Sequence, residues 1–600
     1  MSIGITIGSK SVAGPYNEAV PEDATHGQAE PGTDPESERT AGGGPNRAVG
    51  KALTTWLARD RSVALTIFVC ALVLRAFHLH ALSIHDPFYT IASVDGAVYD
   101  AWARELVAGD WRGDGVLFLG PLYPMFMASV YSIFGPSLPA VKMIQVVLGA
   151  LSCVLVWGLA REIFGRRIAA LTGLASILYG MHVFYGGTTM IVNLQVPLVV
   201  GLAWASIRAL HDPTYRGWAL CGLLLGLSAL ARQTVLLLAP VLALWVLFGM
   251  KGDYSFGQRF AFGSTFGVVI CLLVLPFTIK NYVVGDDLVL LNSTGGANFY
   301  MGNQRNADGT WQIPSIGWNV RVDNPRTMRD AFTGVAERET GRSLKPSEVS
   351  SYWQGRGVDE IRADPLKWIR LEFRKAALFV NAHEVWNNRS VEVSKRASWV
   401  LRLPLVSFGL IAPFALLGLI LTAGRWREFL PVHGAIGAYL IASLLFFVLS
   451  RYRMPATFLM LPFAAFAAFE LAGLLRTRAW APFAIRAVAI ILLGLFVHLP
   501  LVNEDRMHMA WYNLGNKYRE LERWDEAINA YQTSLEENPQ SISTHNNIAI
   551  AFELGGRSEE AIRAWQQVEA LGQRIRSARH IDRAKRHLRT LQQAAEPAPL

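Results

Sequence analysis

The sequence predicts a mainly α, polytopic membrane helix bundle with about eleven spans and an α-solenoid module at its C-terminus. Three observations carry this. The chain of 600 residues is 52% apolar, with a mean hydropathy of +0.27, more than a globular surface can cover with polar groups. The excess falls in blocks of roughly twenty residues, the length a helix needs to cross about 30 Å of hydrocarbon. After Pro500 the composition turns abruptly polar and a repeat of helical period begins.

Residues 1–50 are rich in Gly, Pro, Ser, Thr and acids and cannot bury enough apolar area to offset the entropy of ordering them, so they read as a disordered tail. The first apolar block lacks a small-residue cleavage pattern after it, which marks a retained anchor. Apolar blocks follow at 62–82, 140–160, 168–184, 190–209, 217–230, 234–249, 259–279, 403–422, 433–450, 455–474 and 481–500. Cys70, Cys153, Cys221 and Cys271 lie within these blocks without zinc-ligand spacing and read as small core hydrophobes.

Charge sets the orientation. The formal +9 is spread over the tail and the short connections, a topological pattern that argues against a nucleic-acid partner. With the N-terminus cytoplasmic, the cytoplasmic turns carry Arg161, Arg166, Arg167, Arg208, Arg216, Lys251, Arg259, Arg425, Arg427, Arg476 and Arg478. Only Arg232 and the pair Arg451 and Arg453 oppose that preference. Two large polar segments, 83–139 and 280–402, and the C-terminal module are then periplasmic, in a bacterial inner membrane. Within the first, PLYPMFMASVYSIFG at 121–135 is too short to span and reads as an interfacial helix. The second has an amphipathic pattern interrupted at Pro365, as for interfacial helices over the bundle.

In the C-terminal module, Trp511, Leu514, Gly515, Tyr518, Ala527, Tyr531 and Pro539 fit the tetratricopeptide pattern, and Ile548, Ala549, Phe552, Ala561 and Trp565 fill the equivalent slots of a second repeat. Two repeats therefore occupy 508–571, with a basic capping helix at 572–593 and a frayed tail at 594–600. The module is either a packing appendage or a concave site for a protein partner.

The candidate catalytic carboxylate is Asp95 in ASVDGAVYDAWARELVAGD. It either caps the first turn of a helix, or serves as general base or cation ligand at a span-loop junction. Tyr99 and Trp102, one and two turns on, present rings to a sugar or lipid. Arg232, Arg451 and Arg453 are candidates for clamping a lipid phosphate, with snorkelling to headgroups as the alternative. LSRYRMPA reads as a tight turn holding both later arginines close together. Asn281 follows a span directly, and the Gly295 and Gly296 pair permits a turn gathering Asn298, Tyr300 and Asn303, whose amides and hydroxyl suit sugar recognition.

The ordered runs VDGAVYDAWARELVAGD, FLGPLYPMFMASVYSIFG and KMIQVVLGALS, followed by LLLGLSALARQTVLLLAP, KNYVVGDDLVLLNSTGGANFYMGNQRNADG and LSRYRMPA, resemble bacterial GT-C glycosyltransferases of the family 39 type. These are relatives of the protein O-mannosyltransferases and of the lipid A aminoarabinose transferase. The resemblance covers roughly residues 60–500. It implies transfer of a sugar from a polyprenyl phosphate donor, bound from the membrane lipid, to a periplasmic acceptor. Asp95 matches the catalytic carboxylate, Arg232, Arg451 and Arg453 the phosphate-binding cations, and Asn298, Tyr300 and Asn303 the GxNFYxGN loop. Some members use a divalent cation, Mg or Mn, and others none. Two departures are visible. FYGGTTMIVN at 184–193 has Gly186, Thr188 and Val192 where relatives carry acids, and FLGPLYP lacks a Glu before its proline. They favour a mechanism centred on Asp95 without a carboxylate metal cage. The rival functions are a non-catalytic scaffold recruiting envelope proteins through the repeats, and a transporter or flippase of a lipid-linked sugar.

Overall fold

The computed structural model describes residues 60–113, 115–250, 252–314, 324–502 and 507–595. The expected tail at 1–50, Lys251 and residues 596–600 lie outside them. The chain is mainly α, a polytopic helix bundle with a tetratricopeptide-like solenoid. Among the described residues, seven helical stretches are long and apolar enough to cross a membrane: Asp60–His85, Leu138–Phe164, Val192–His211, Phe256–Gly285, Phe408–Leu445, Ser450–Arg476 and Trp480–Val497.

The other expected spans are realised as shorter or interrupted pieces. The block at 217–230 is the helix Tyr215–Ala231, and that at 234–249 changes from 3-10 to α to π winding over Gln233–Gly249. The blocks at 403–422 and 433–450 run together as one stretch with a turn at Ala423–Arg425. The block at 168–184 breaks into Arg166–Leu178 and Gly180–Gly186 at Tyr179, which is extended. The break frees backbone groups that need partners in a buried setting. Val406 meets them: its N–H donates to the Leu178 carbonyl at 2.9 Å, and its carbonyl accepts from Gly180 N–H at 3.0 Å.

The bundle separates its charges by end. At one end Asp60 pairs with Arg161 at 2.5 Å and Arg166 at 3.1 Å, and Arg208 with Glu162 at 3.4 Å. At the other, the polar segments interlock: Arg326 pairs with Glu105 at 3.0 Å, Arg389 with Asp86 at 2.6 Å, and Asn281 accepts from Leu117 N–H at 2.9 Å. The segment at 121–135 forms the helix Leu122–Phe134. The second segment forms Pro346–Ala363 and Pro365–Val380, with Pro365 at the start of the new helix and Asp364 capping it through Lys367 N–H at 3.0 Å.

The C-terminal module is five helices, Met507–Glu520, Trp524–Glu537, Ile542–Leu554, Ser558–Arg574 and Ala578–Ala595. Tyr531 and Trp565 are fully buried between them. A side chain at Gly515 would collide with the Tyr531 ring, which explains the glycine. The first of these helices is stitched to the polar end of the bundle. Trp511 and Ala510 pack on Val393 and Trp386, Arg396 lies 4.0 Å over the Trp511 ring, and the Tyr518 hydroxyl donates to the His85 carbonyl at 3.2 Å.

Candidate active site

Asp95 opens the helix Asp95–Val107, directly after Val94 at φ 50°. Positive φ is unfavourable for a β-branched residue, and such strain is held only where surrounding contacts over-determine it. Asp95 makes no side-chain cap; its carboxylate instead forms a half-buried ion pair with Arg451. Thus the capping alternative is not realised, and a carboxylate from the first polar segment meets a guanidinium 356 residues later in the chain.

Arg451 is 8% exposed. Its other contacts are the Met190 sulfur at 3.7 Å and the Tyr452 hydroxyl at 3.4 Å, and its Nε is buried without a hydrogen-bond partner. Tyr452 links this pair to Arg232, whose guanidinium stacks 3.5 Å from the centroid of the same ring. Tyr99, one turn after Asp95, lies edge-on to Tyr123 at 5.0 Å. Burial pushes the Tyr99 hydroxyl well above the ordinary phenol range, and the Asp95 charge adds to the shift. Tyr99 is therefore a hydrogen-bond donor and no base.

Beside Arg232 is a cavity of about 130 Å³, lined by Tyr99, Gln233, Asn292, Asn298, Tyr439 and Tyr452 among others. An apolar groove of about 570 Å³ is lined by Leu122, Leu194, Leu198, Leu224 and Leu227, with Arg208 among its residues. A larger cavity of about 1120 Å³ lies between His383–Phe408 and the start of the repeats, and contains none of the expected site residues.

The remaining expected residues are placed elsewhere, for reasons of geometry. LSRYRMPA is no tight turn: it forms the start of the helix Ser450–Arg476, with Pro455 inside the helix. Residues two apart on a helix face away from one another, so Arg453 points from Arg451 into the carbonyls of Leu378, Phe379, Asn381 and His383 at 2.8–3.0 Å, and pairs with Glu384 at 3.1 Å. The Gly295 and Gly296 pair likewise forms no gathering turn. It starts the helix Gly295–Asn303, whose pitch separates the three expected side chains. Asn298 faces the cavity; Tyr300 packs on Trp353 at 4.8 Å; Asn303 accepts from Trp368 and Lys375, each at 3.1 Å. Asn281 is buried among backbone groups of Leu117, Val289 and Leu291. Trp102 packs with the Tyr123 and Tyr131 cluster.

Gln233, Asn292, Tyr439 and Tyr452 are the members not singled out beforehand. Gln233 and Tyr452 adjoin flagged arginines, but Tyr439 lies in an apolar block where only packing shows which way it faces. Among the described residues at this site, Asp95 is the carboxylate that the cavity and its ion pairs present. Among the described residues no three His, Cys, Asp or Glu side chains converge, and the Asp95 carboxylate already holds a guanidinium.

Residues 119–279 match the sequence model of the family described as dolichyl-phosphate-mannose-protein mannosyltransferase, and residues 508–541 match the tetratricopeptide repeat. Among solved structures, the chain is similar to the Archaeoglobus fulgidus oligosaccharyltransferase in its apo form, with 14% identity, a TM-score of 0.41, and coverage of 77% of this chain and 59% of that one. It is also similar to ArnT from Cupriavidus metallidurans bound to undecaprenyl phosphate, with 16% identity, a TM-score of 0.32, and coverage of 70% and 79%. A tetratricopeptide repeat-containing protein of Methanocaldococcus jannaschii is 28% identical over 90 residues, 15% of this chain and 16% of that protein. The chain thus spans under two thirds of the archaeal transferase and under a fifth of this curated relative.

Proposed function

We propose that this chain transfers a sugar from a polyprenyl phosphate donor to an acceptor, with the reaction on the periplasmic side of a bacterial inner membrane. The observation that carries this reading is the Asp95–Arg451 pair joined through Tyr452 to Arg232: one carboxylate and two guanidiniums meet at the polar end of a bundle, beside a small cavity. The match of 119–279 to a family described by transfer from a lipid-linked sugar supports it.

In this reading the polyprenyl tail lies in the apolar groove at Leu122, Leu194 and Leu227, and the phosphate reaches Arg232, with Arg451 against the same Tyr452 ring. Asp95 takes the proton of the acceptor hydroxyl as its oxygen bonds the anomeric carbon. The bond from that carbon to the phosphate oxygen breaks, and the electron pair leaves with the lipid phosphate, where the guanidiniums stabilise the charge. The acceptor arrives from the larger cavity beside the repeats.

The test is transfer by full-length wild type and Asp95→Asn in lipid nanodiscs, with a panel of undecaprenyl phosphate sugars and envelope extract. The expected result is a fall in kcat of roughly 10²–10⁴ in protein shown to be folded, with some loss of melting temperature because Arg451 loses its ion-pair partner. Transfer at the wild-type rate would remove Asp95 from catalysis. A second expectation follows from the donor set: chelator leaves the wild-type rate unchanged, and a rate restored only by Mg or Mn would overturn it.

A further inference from the structure

We infer that the cavity beside Arg232 admits one neutral sugar ring, and discriminates against donors whose sugar carries an ammonium or a carboxylate. The inference rests on the donor reading above and narrows its substrate class.

Size comes first. At about 130 Å³ the cavity has room for several waters, and so for a part or the whole of one sugar ring. Charge comes second. Among the described residues lining the cavity, Arg232 is the one that carries a charge. Asp95, which faces this region from the adjoining helix, is neutralised by Arg451. A sugar ammonium entering here would lose its water and meet no carboxylate in the lining, while Arg232 would repel it. A sugar carboxylate would compete with the phosphate of its own donor for the Arg232 guanidinium.

The lining suits hydroxyl groups instead. The amides of Gln233, Asn292 and Asn298 both donate and accept hydrogen bonds, as each sugar hydroxyl does, while the Ser443 hydroxyl donates to the Tyr439 carbonyl and is left to accept. Tyr99, Tyr439 and Tyr452 add ring surface for the C–H face of the sugar and polar tips at its edge. The Gln195 amide donates to the Tyr439 hydroxyl at 2.8 Å, which leaves that hydroxyl free to donate into the cavity.

The experiment measures binding of four probes to the full chain in nanodiscs at neutral pH: undecaprenyl phosphate alone, and undecaprenyl phosphate carrying glucose, 4-amino-4-deoxyarabinose or glucuronic acid. The neutral donor is expected to bind at least roughly tenfold more tightly than either charged one. Asn298→Asp, which places a carboxylate in the lining, is expected to raise affinity for the amino donor and lower it for the neutral one. Equal binding of the three sugars, or preference for a charged one, overturns the selectivity while undecaprenyl phosphate binding preserves the donor reading. Failure of undecaprenyl phosphate to bind, or equal binding of it by Arg232→Ala, sinks the donor reading and this inference with it.

Discussion

Arg451 and Arg453 show how much one residue of spacing decides. Arg451 leaves the helix toward Asp95 and Tyr452, with one nitrogen unpartnered, whereas Arg453 is 1% exposed and spends its donors on four carbonyls and Glu384. Substitution should separate a reactive role from a structural one. Arg453→Met leaves a buried carboxylate and several carbonyls unmatched, and is expected to cost about 3–5 kcal/mol, read as a large drop in melting temperature in detergent. A variant as stable as wild type would contradict the buried-brace assignment. Tyr452→Leu removes the ring under Arg232, where a cation–π contact is worth about 0.5–2 kcal/mol. Its expected effect is weaker undecaprenyl phosphate binding by roughly 2- to 30-fold, with stability nearly preserved; unchanged affinity would count against the platform.

At the scale of elements, the helix Gly295–Asn303 is shaped by what its glycines allow. A side chain at Gly296 would overlap the Ser350 carbonyl, and one at Gly302 would overlap the Phe446 carbonyl. The helix is thus clamped between two backbones, and that clamp presents Asn298 to the cavity. Gly302→Ala is expected to destabilise by about 1–3 kcal/mol through overpacking and to weaken donor binding through displacement of Asn298; retention of both would show that the neighbouring turn yields easily. The reason the glycines were read as a turn is plain from this contact: backbone freedom is visible in sequence, but close approach by a remote backbone is not. Local signals did better. Pro365 and Asp364 end one helix and start the next, and the short apolar run at 121–135 folds as a single short helix.

For the whole molecule, hydropathy located the apolar blocks, seven stretches of which are long and apolar enough to cross a membrane, but it cannot see a break whose backbone is satisfied from elsewhere, as at Tyr179. Of the site, Asp95, Arg232 and Arg451 were legible as charges at odds with their surroundings. Their pairing was not, since it joins chain segments hundreds of residues apart. The repeats raise the same issue at larger scale. Their pattern is local, but their attachment through Trp511, Arg396 and Tyr518 makes them a wall of the polar end. Trp511→Ala is expected to cost about 3–5 kcal/mol locally and to expose segment 385–397 to protease in the otherwise folded chain. Equal resistance to digestion would mean that the contact is incidental.

The clasp at Tyr179 has a consequence in time. Ribosomes deliver residues 178–180 long before residue 406 exists, so the broken helix first forms with its Leu178 carbonyl and Gly180 N–H lacking the partners that Val406 later supplies. Nascent chains stopped before residue 406 should therefore remain beside the insertion machinery, or admit water at the break, and chains extended past it should release. The order of synthesis makes the second half of the bundle a condition for completing the first.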